Sequence, residues 1–120
     1  MDLSIALATV VAQLKALTWP DSSTTVSTDP ADIVAPGVLV QLVQLQDETL
    51  GGWSLDLSLV LVAADVDGGP GPAAALSVLL STILPWATPD GPVVARSVQL
   101  PSGPAPLPGL VFPLTVRTDA

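Results

Sequence analysis

Polar and apolar residues alternate over residues 53–61, and this period-two pattern predicts a β-strand with one buried face. The apolar side consists of Trp53, Leu55, Leu57, Leu59 and Leu61, and the polar side consists of Ser54, Asp56 and Ser58. From Val60 to Asp65 the second side becomes apolar as well, because it carries Val60, Val62 and Ala64. The end of this strand therefore needs cover on both faces, from a helix of the same chain or from another copy of the chain.

Two other segments repeat apolar residues at spacings of three and four, which predicts two amphipathic α-helices. The first covers residues 3–17 before Trp19-Pro20, and its stripe is formed by Leu3, Leu7, Val10, Leu14 and Leu17. The second covers residues 72–84 between two prolines, and its stripe is formed by Leu76, Leu79, Leu80 and Ile83. Each helix can therefore pack one side against a sheet.

The remaining strands follow from short apolar runs between turn residues. We predict strands over residues 37–46, 92–100 and 110–118, and a short one over residues 24–28. Residues 47–52, DETLGG, have the length of a hairpin connection, so the strands on either side of them are expected to pair. Pro113 cannot donate a hydrogen bond to a sheet, which places the last strand at an edge or beside a bulge.

The order of these elements predicts an α+β fold, in which a mostly antiparallel β-sheet of four to five strands packs with two α-helices. The 120 residues show no internal repeat and no linker long enough to divide them, so we expect a single domain over residues 1–120. The chain has no cysteine, and its core must therefore form without disulfides.

The small number of charged residues is unusual for a chain of this size. Only 12% of the residues are charged, against about 25% in ordinary soluble domains, while 49% are hydrophobic. A monomer of this mass exposes roughly 6,000 Å² of surface, so neutral and apolar groups must form much of it. A composition rich in small residues and proline is one explanation. We favour the other, in which subunit interfaces cover part of the apolar surface.

The charges that are present are strongly acidic, because eleven carboxylates outnumber Lys15, Arg96 and Arg117 and give a net charge of −8. Such a chain has no basic patch for phosphates, which argues against nucleic-acid binding and against attachment to anionic membranes. Prolines interrupt both long uncharged stretches, residues 68–89 and 97–116, so no transmembrane helix is expected. We expect a soluble protein.

The residue types for catalysis are largely missing. The chain contains no histidine, cysteine or tyrosine, so we expect no enzymatic activity and no cofactor. Residues 65–69, DVDGG, match part of a calcium loop, but the next residues supply no further ligands, so we assign no metal. Trp53 is expected in the core, and Trp19 and Trp86 at helix ends. A small ligand- or calcium-binding module that uses Asp65, Asp67 or the tryptophans remains the alternative from another functional class.

Several segments together resemble the tail-terminator family of long-tailed phages, the minor-tail-protein-U-like group in its actinobacterial phage or prophage form. The resemblance runs over nearly the whole chain, through LSIALATVVAQLKAL, PGVLVQLVQLQ, GGWSLDLSLVLVAADVDGG, PAAALSVLLSTIL and LPGLVFPLTVRT. It implies a non-enzymatic virion protein whose hexameric ring caps the tail tube, stops its polymerisation and offers a docking surface for the head. Another neck or head–tail connector protein, or a tail tube subunit, remains an alternative within the same class.

The resemblance also implies the partners and the place of the protein. These are sister copies in a homo-hexamer, the major tail tube protein and a head–tail connector, at the head-proximal end of the virion tail after assembly in the host cytoplasm. The family has no motif to transfer by residue, so the two surfaces are inferred from the chain itself. We expect Val60, Val62 and Ala64 at the subunit interface. We expect Asp47, Glu48 and Asp56 to line an acidic lumen that DNA crosses without specific binding.

Overall fold

The computed structural model of the chain describes residues 3–20, 24–34, 36–47, 52–63, 71–101 and 106–119. Two α-helices, a short 3₁₀ helix over Pro30–Asp32 and five β-strands form these parts. In chain order the helices and strands are α1 (Leu3–Lys15), β1 (Thr25–Ser27), β2 (Gly37–Asp47), β3 (Gly52–Val62), α2 (Gly71–Ile83), β4 (Val94–Val98) and β5 (Leu107–Asp119).

The five strands form one sheet in the order β1-β2-β3-β5-β4. β1 and β2 are parallel, and the three other neighbouring pairs are antiparallel. Helices account for 29% and strands for 43% of the structure, so the predicted α+β fold with a mostly antiparallel sheet is confirmed. The strands differ greatly in length, and this makes one end of the sheet wider than the other.

The wide end carries all five strands, because β1 pairs with β2 only at residues 37–39 and β4 pairs with β5 only at residues 107–111. Among the described residues, the other end consists of the long strands β2, β3 and β5 alone. We call this part the ribbon, and define it as residues 41–47, 52–58 and 113–119. The molecule is correspondingly elongated, with extents of 52 × 27 × 24 Å.

Both helices pack on the same face of the sheet, which we call the helix-side face. The alternation in β3 predicts this face correctly, because Leu55, Leu57, Leu59 and Leu61 are all buried there. Val10 and Leu14 of α1 and the apolar stripe of α2 join them in the main core. The buried side chains of β5 in this core are Phe112 and Leu114. Packing of two helical stripes on one apolar sheet face explains the core without any disulfide.

The opposite face, which we call the second face, is covered at the wide end by loops of the same chain. Val60 is 5% exposed and Val62 is 0% exposed. They form a second cluster with Leu39 of β2 and with two side chains from outside the regular strands, Ile33 and Leu100. In this fold residues of the same chain bury Val60 and Val62, so their place at a subunit interface stays a prediction. Ala64, the third residue predicted for that interface, lies outside the described residues.

Gly109 allows this layer to form, because β5 is tightly enclosed there. It pairs with Val62 on one side and with Arg96 on the other. A Cβ atom at position 109 would lie 2.6 Å from Cγ2 of Val98 and 2.8 Å from the carbonyl oxygen of Leu61. Since the second of these atoms belongs to the backbone, it cannot move away as a side chain would. Glycine, which has no Cβ atom, is therefore required at this position.

The ends of several elements differ from those predicted. β3 ends at Val62, and β5 begins at Leu107, inside the proline-rich segment that we expected to be a connection. β5 as a whole lies between β3 and β4, so the prediction of an edge strand is wrong for its first half. Pro113 lies in the second half, which no described strand joins on its outer side, so its missing N–H donor interrupts no strand pairing there. Its carbonyl oxygen instead accepts a hydrogen bond from the backbone N–H of Asp90 at 2.9 Å.

Candidate assembly surfaces

The ribbon exposes apolar side chains along β2. Leu42 is 37% exposed, Val43 is 66% exposed and Leu45 is 38% exposed. Leu42 aligns with Leu57 and Leu45 aligns with Leu55, so both exposed leucines lie on the helix-side face. An apolar strip therefore continues from the main core to the outer edge of β2, where the chain itself leaves it uncovered.

A β-bulge places these leucines on one face. The pairing of β2 with β3 shifts between Leu42 and Gln44, which leaves Val43 as the extra residue. Without this shift, Leu45 would point to the second face, since successive residues of a regular strand alternate. Bulges of this kind also bend a strand and interrupt its edge. The most exposed apolar side chain of the ribbon is thus the one at the bulge.

The outer edge of β2 is open over the ribbon. β1 pairs with Gly37, Val38 and Leu39, and no described strand pairs with the outer side of β2 beyond them. The open edge and the exposed leucines occupy the same stretch of strand. Unpaired edges are positions at which natural sheets associate with other chains unless they are protected. This stretch therefore combines apolar surface with free backbone donors and acceptors.

The second face of the ribbon is polar and carries two carboxylates. The hydroxyl group of Thr115 donates a hydrogen bond to Oδ1 of Asp56 at 3.0 Å, and it also contacts Oδ2 of Asp90. Nε2 of Gln46 donates to Oδ2 of Asp56 at 3.5 Å. A hydroxyl group has a single proton, so Thr115 can serve only one of the two carboxylates at a time.

Among the three residues predicted for an acidic lumen, the structure describes the side chain of Asp56 alone. Asp47 is the last residue of β2, and Glu48 lies outside the described residues. Asp90, which the sequence does not predict at this site, joins Asp56 here, because its loop is tied to the ribbon through Thr115 and through the carbonyl oxygen of Pro113. No local pattern identifies Asp90, because its partner Thr115 is 25 residues away in the chain.

The three tryptophans lie where the sequence predicts them. Trp19, Trp53 and Trp86 are all partly buried against the main core. Nε1 of Trp19 donates a hydrogen bond to the carbonyl oxygen of Leu14 at 2.9 Å, which satisfies a backbone acceptor in the last turn of α1. The indole groups of Trp19 and Trp86 therefore lie at the ends of α1 and α2, whereas Trp53 packs from β3.

The described residues offer no metal centre, because three or more histidine, cysteine, aspartate or glutamate side chains nowhere come together. Asp65 and Asp67, the candidates for a calcium loop, lie outside the described residues. Within the same ranges, neither helix has the length and apolar character needed to span a membrane.

Comparison with known proteins assigns no family to the chain. No protein-family model matches it, and no curated protein matches it.

Proposed function

We propose that the chain is a structural virion protein of a long-tailed phage, a tail terminator that forms a hexameric ring at the head-proximal end of the tail tube. The ring stops polymerisation of the tube and presents a docking surface to the head. Its partners are sister copies, the major tail tube protein and a head–tail connector. DNA passes through the lumen without being bound specifically.

The uncovered apolar strip of the ribbon carries this proposal. Leu42, Val43 and Leu45 border an open strand edge in a chain that has few charged residues to keep such a surface in water. Burial of an apolar side chain stabilises an interface by about 25 cal/mol for each Å² removed from water. Contact of this strip with a sister copy or with the tail tube therefore favours assembly over a solitary molecule.

The polar face of the ribbon supports the role in DNA passage. Asp56 and Asp90 lie together there, on the face opposite to the exposed leucines. A carboxylate surface repels phosphate groups, whereas a basic surface would bind DNA through release of counterions. A ring that directs this face inward would let DNA slide past.

The first test is the mass of the particle and its action on tubes. Light scattering after size exclusion should give six copies of the 12.1 kDa chain, either for the free protein or after addition of tube ends. Tail tube protein from the same genome, polymerised with and without the chain, should give shorter tubes with extra density at one end in electron micrographs. Open tubes made by the chain alone would instead favour a tube subunit.

A pair of matched variants tests the apolar strip. Val43→Lys places a charge on the strip and is expected to weaken association about tenfold, because one to two kcal/mol of apolar burial is lost. Val78→Lys is the control, since Val78 is also exposed, at 45%, but lies on α2. Persistent monomers that never cap tubes contradict the proposal. If the two variants associate equally well, the apolar strip does not take part in assembly.

A further inference from the structure

We propose that copies of this chain associate edge to edge, with β4 of one copy beside β1 of the next. These strands are the outermost members of the sheet, and on their outer sides neither has a strand partner within the described residues. Such edges present rows of backbone donors and acceptors that another strand can bind. The inference rests on the proposed ring and names the surfaces that hold neighbouring copies together.

β1 and β4 lie on opposite edges of the sheet, but at the same position along the strand direction. Thr25 of β1 aligns with Gly37, which aligns with Val62 of β3. Val62 aligns with Gly109, which aligns with Arg96 of β4. Copies that stand side by side in one orientation therefore bring Arg96 of one copy level with Thr25 of the next.

The strand directions also suit this contact. β1 is parallel to β2, and each step from β2 through β3 and β5 to β4 is antiparallel. β4 consequently runs opposite to β1 within one copy and also between side-by-side copies. The strands at the contact pair in the antiparallel arrangement, which is slightly more stable per residue than the parallel one.

The charges at the two edges are complementary. Arg96 is exposed on the second face, and its side chain has no ion pair or hydrogen bond within the described parts of the chain. At the other edge Asp32 is exposed, and the hydroxyl group of Ser27 donates to its Oδ2 at 3.4 Å. Ser27 aligns with Leu39 of the second face, so this carboxylate and Arg96 lie on the same side of the sheet. Edge pairing thus brings opposite charges together.

The shapes of the helix-side surfaces match as well. A groove of about 490 Å³ runs between α1 and β1, and its lining combines the small side chains of Ala8 and Ala12 with the larger ones of Leu7, Val11 and Lys15. The residues of β4 on the helix-side face are Ala95 and Ser97, which are exposed and equally small. β4 of a neighbouring copy therefore adds only small side chains of its own to the groove, which leaves room beside the larger residues of α1.

The contact joins two different surfaces, so a pair of copies retains one free edge of each kind. A heterologous contact of this type produces a closed ring when the rotation between copies closes, and an open filament when it does not. Pairing also covers Val94 of β4, which is 53% exposed in the single chain. Edge pairing would thus bury exposed apolar surface at the wide end of the sheet, separate from the apolar strip of the ribbon.

Charge reversal provides the first test. Arg96→Glu should weaken self-association about tenfold or more, measured as the dependence of particle mass on concentration, and Asp32→Lys should act in the same direction. The double variant should recover most of the lost affinity. Arg117→Glu is the control, because it changes the net charge equally but lies in the ribbon beside Ser54. Circular dichroism establishes that each variant folds.

Cysteine cross-linking provides the second test. It has no background from native residues, because the chain has no cysteine of its own. The alignment through the sheet puts Ser27 level with Val94. Ser27→Cys and Val94→Cys should therefore form a disulfide-linked dimer when mixed under mild oxidation, and neither should do so alone. A mixture of Ser27→Cys with Val78→Cys is the control. Either variant that cross-links efficiently with itself overturns the heterologous contact.

The two proposals fail in distinguishable ways. If the mixed cysteine variants cross-link but the protein neither forms rings nor caps tubes, edge pairing stands and the tail-terminator function is wrong. If the protein caps tubes and Arg96→Glu caps them equally well, without cross-linking at Ser27 and Val94, edge pairing alone is wrong. A mixture that does not cross-link, together with Arg96→Glu that associates like the wild type, also overturns edge pairing.

Discussion

Leu100→Ala tests whether the chain itself closes the second face of its sheet. Leu100 is 3% exposed and lies on Val60 and Val62, although it belongs to no strand or helix. The substitution removes about three buried methylene equivalents, at about 0.8 kcal/mol each. A loop can partly collapse into the space, so the expected loss in the free energy of unfolding is about 2–3 kcal/mol, near the lower end for such changes.

Urea unfolding followed by tryptophan fluorescence measures this loss, since the three indole groups are partly buried against the main core. The midpoint should fall by about 1–2 M urea for a chain of this size. Leu84→Ala is the matched control, because Leu84 is exposed and its truncation should cost less than about 0.5 kcal/mol. All variants are compared at one protein concentration, because association raises apparent stability. If Leu100→Ala unfolds like the control, the loop does not pack on the sheet, and Val60 and Val62 return as candidates for a subunit interface.

Two further substitutions test the packing of the sheet and of α1. Gly109→Ala should lower the free energy of unfolding by about 1–3 kcal/mol, because its Cβ atom would meet the carbonyl oxygen of Leu61. Gly91→Ala is the control and should be tolerated, since a Cβ atom at position 91 would lie 3.6 Å from the side chain of Pro113. Equal stability of the two alanine variants would contradict the close approach at Gly109. Trp19→Phe should lower the free energy of unfolding by about 1 kcal/mol in the same urea assay, because the carbonyl oxygen of Leu14 loses the indole N–H donor. An unchanged midpoint would show that this hydrogen bond does not contribute to stability.

Local periodicity predicts the elements and the main core, because a side chain's direction along a helix or strand depends only on its position in that element. The stripe of α1 and the alternation of β3 both face the core as expected. The β-bulge at Val43 breaks this relation, since the side of the sheet that Leu45 faces depends on where the extra residue falls. The doublet Leu42-Val43 interrupts the alternation, yet the position of the shift is decided by pairing with β3.

The cover of the second face is harder to predict from the sequence. Ile33 and Leu100 are single apolar residues in loops, where no periodicity marks them as buried. The hydrogen bonds on the polar face of the ribbon are equally hard to predict, because Asp56 and Thr115 are 59 residues apart in the chain. Such contacts depend on the order of strands in the sheet. The sequence limits that order only through the short connections between neighbouring elements.

The two proposals constrain each other through the geometry of one sheet. Edge pairing between copies in the same orientation turns the second face of every copy to the same side of a ring. Asp56 and Asp90 lie on that face at the ribbon, so either all copies present these carboxylates to the lumen or none does. The inward arrangement is the one that agrees with the proposed passage of DNA, because a lumen lined by repeated carboxylates would repel phosphate. In the proposed ring it would also turn the exposed leucines of the helix-side face outward, away from DNA and toward the proposed protein partners.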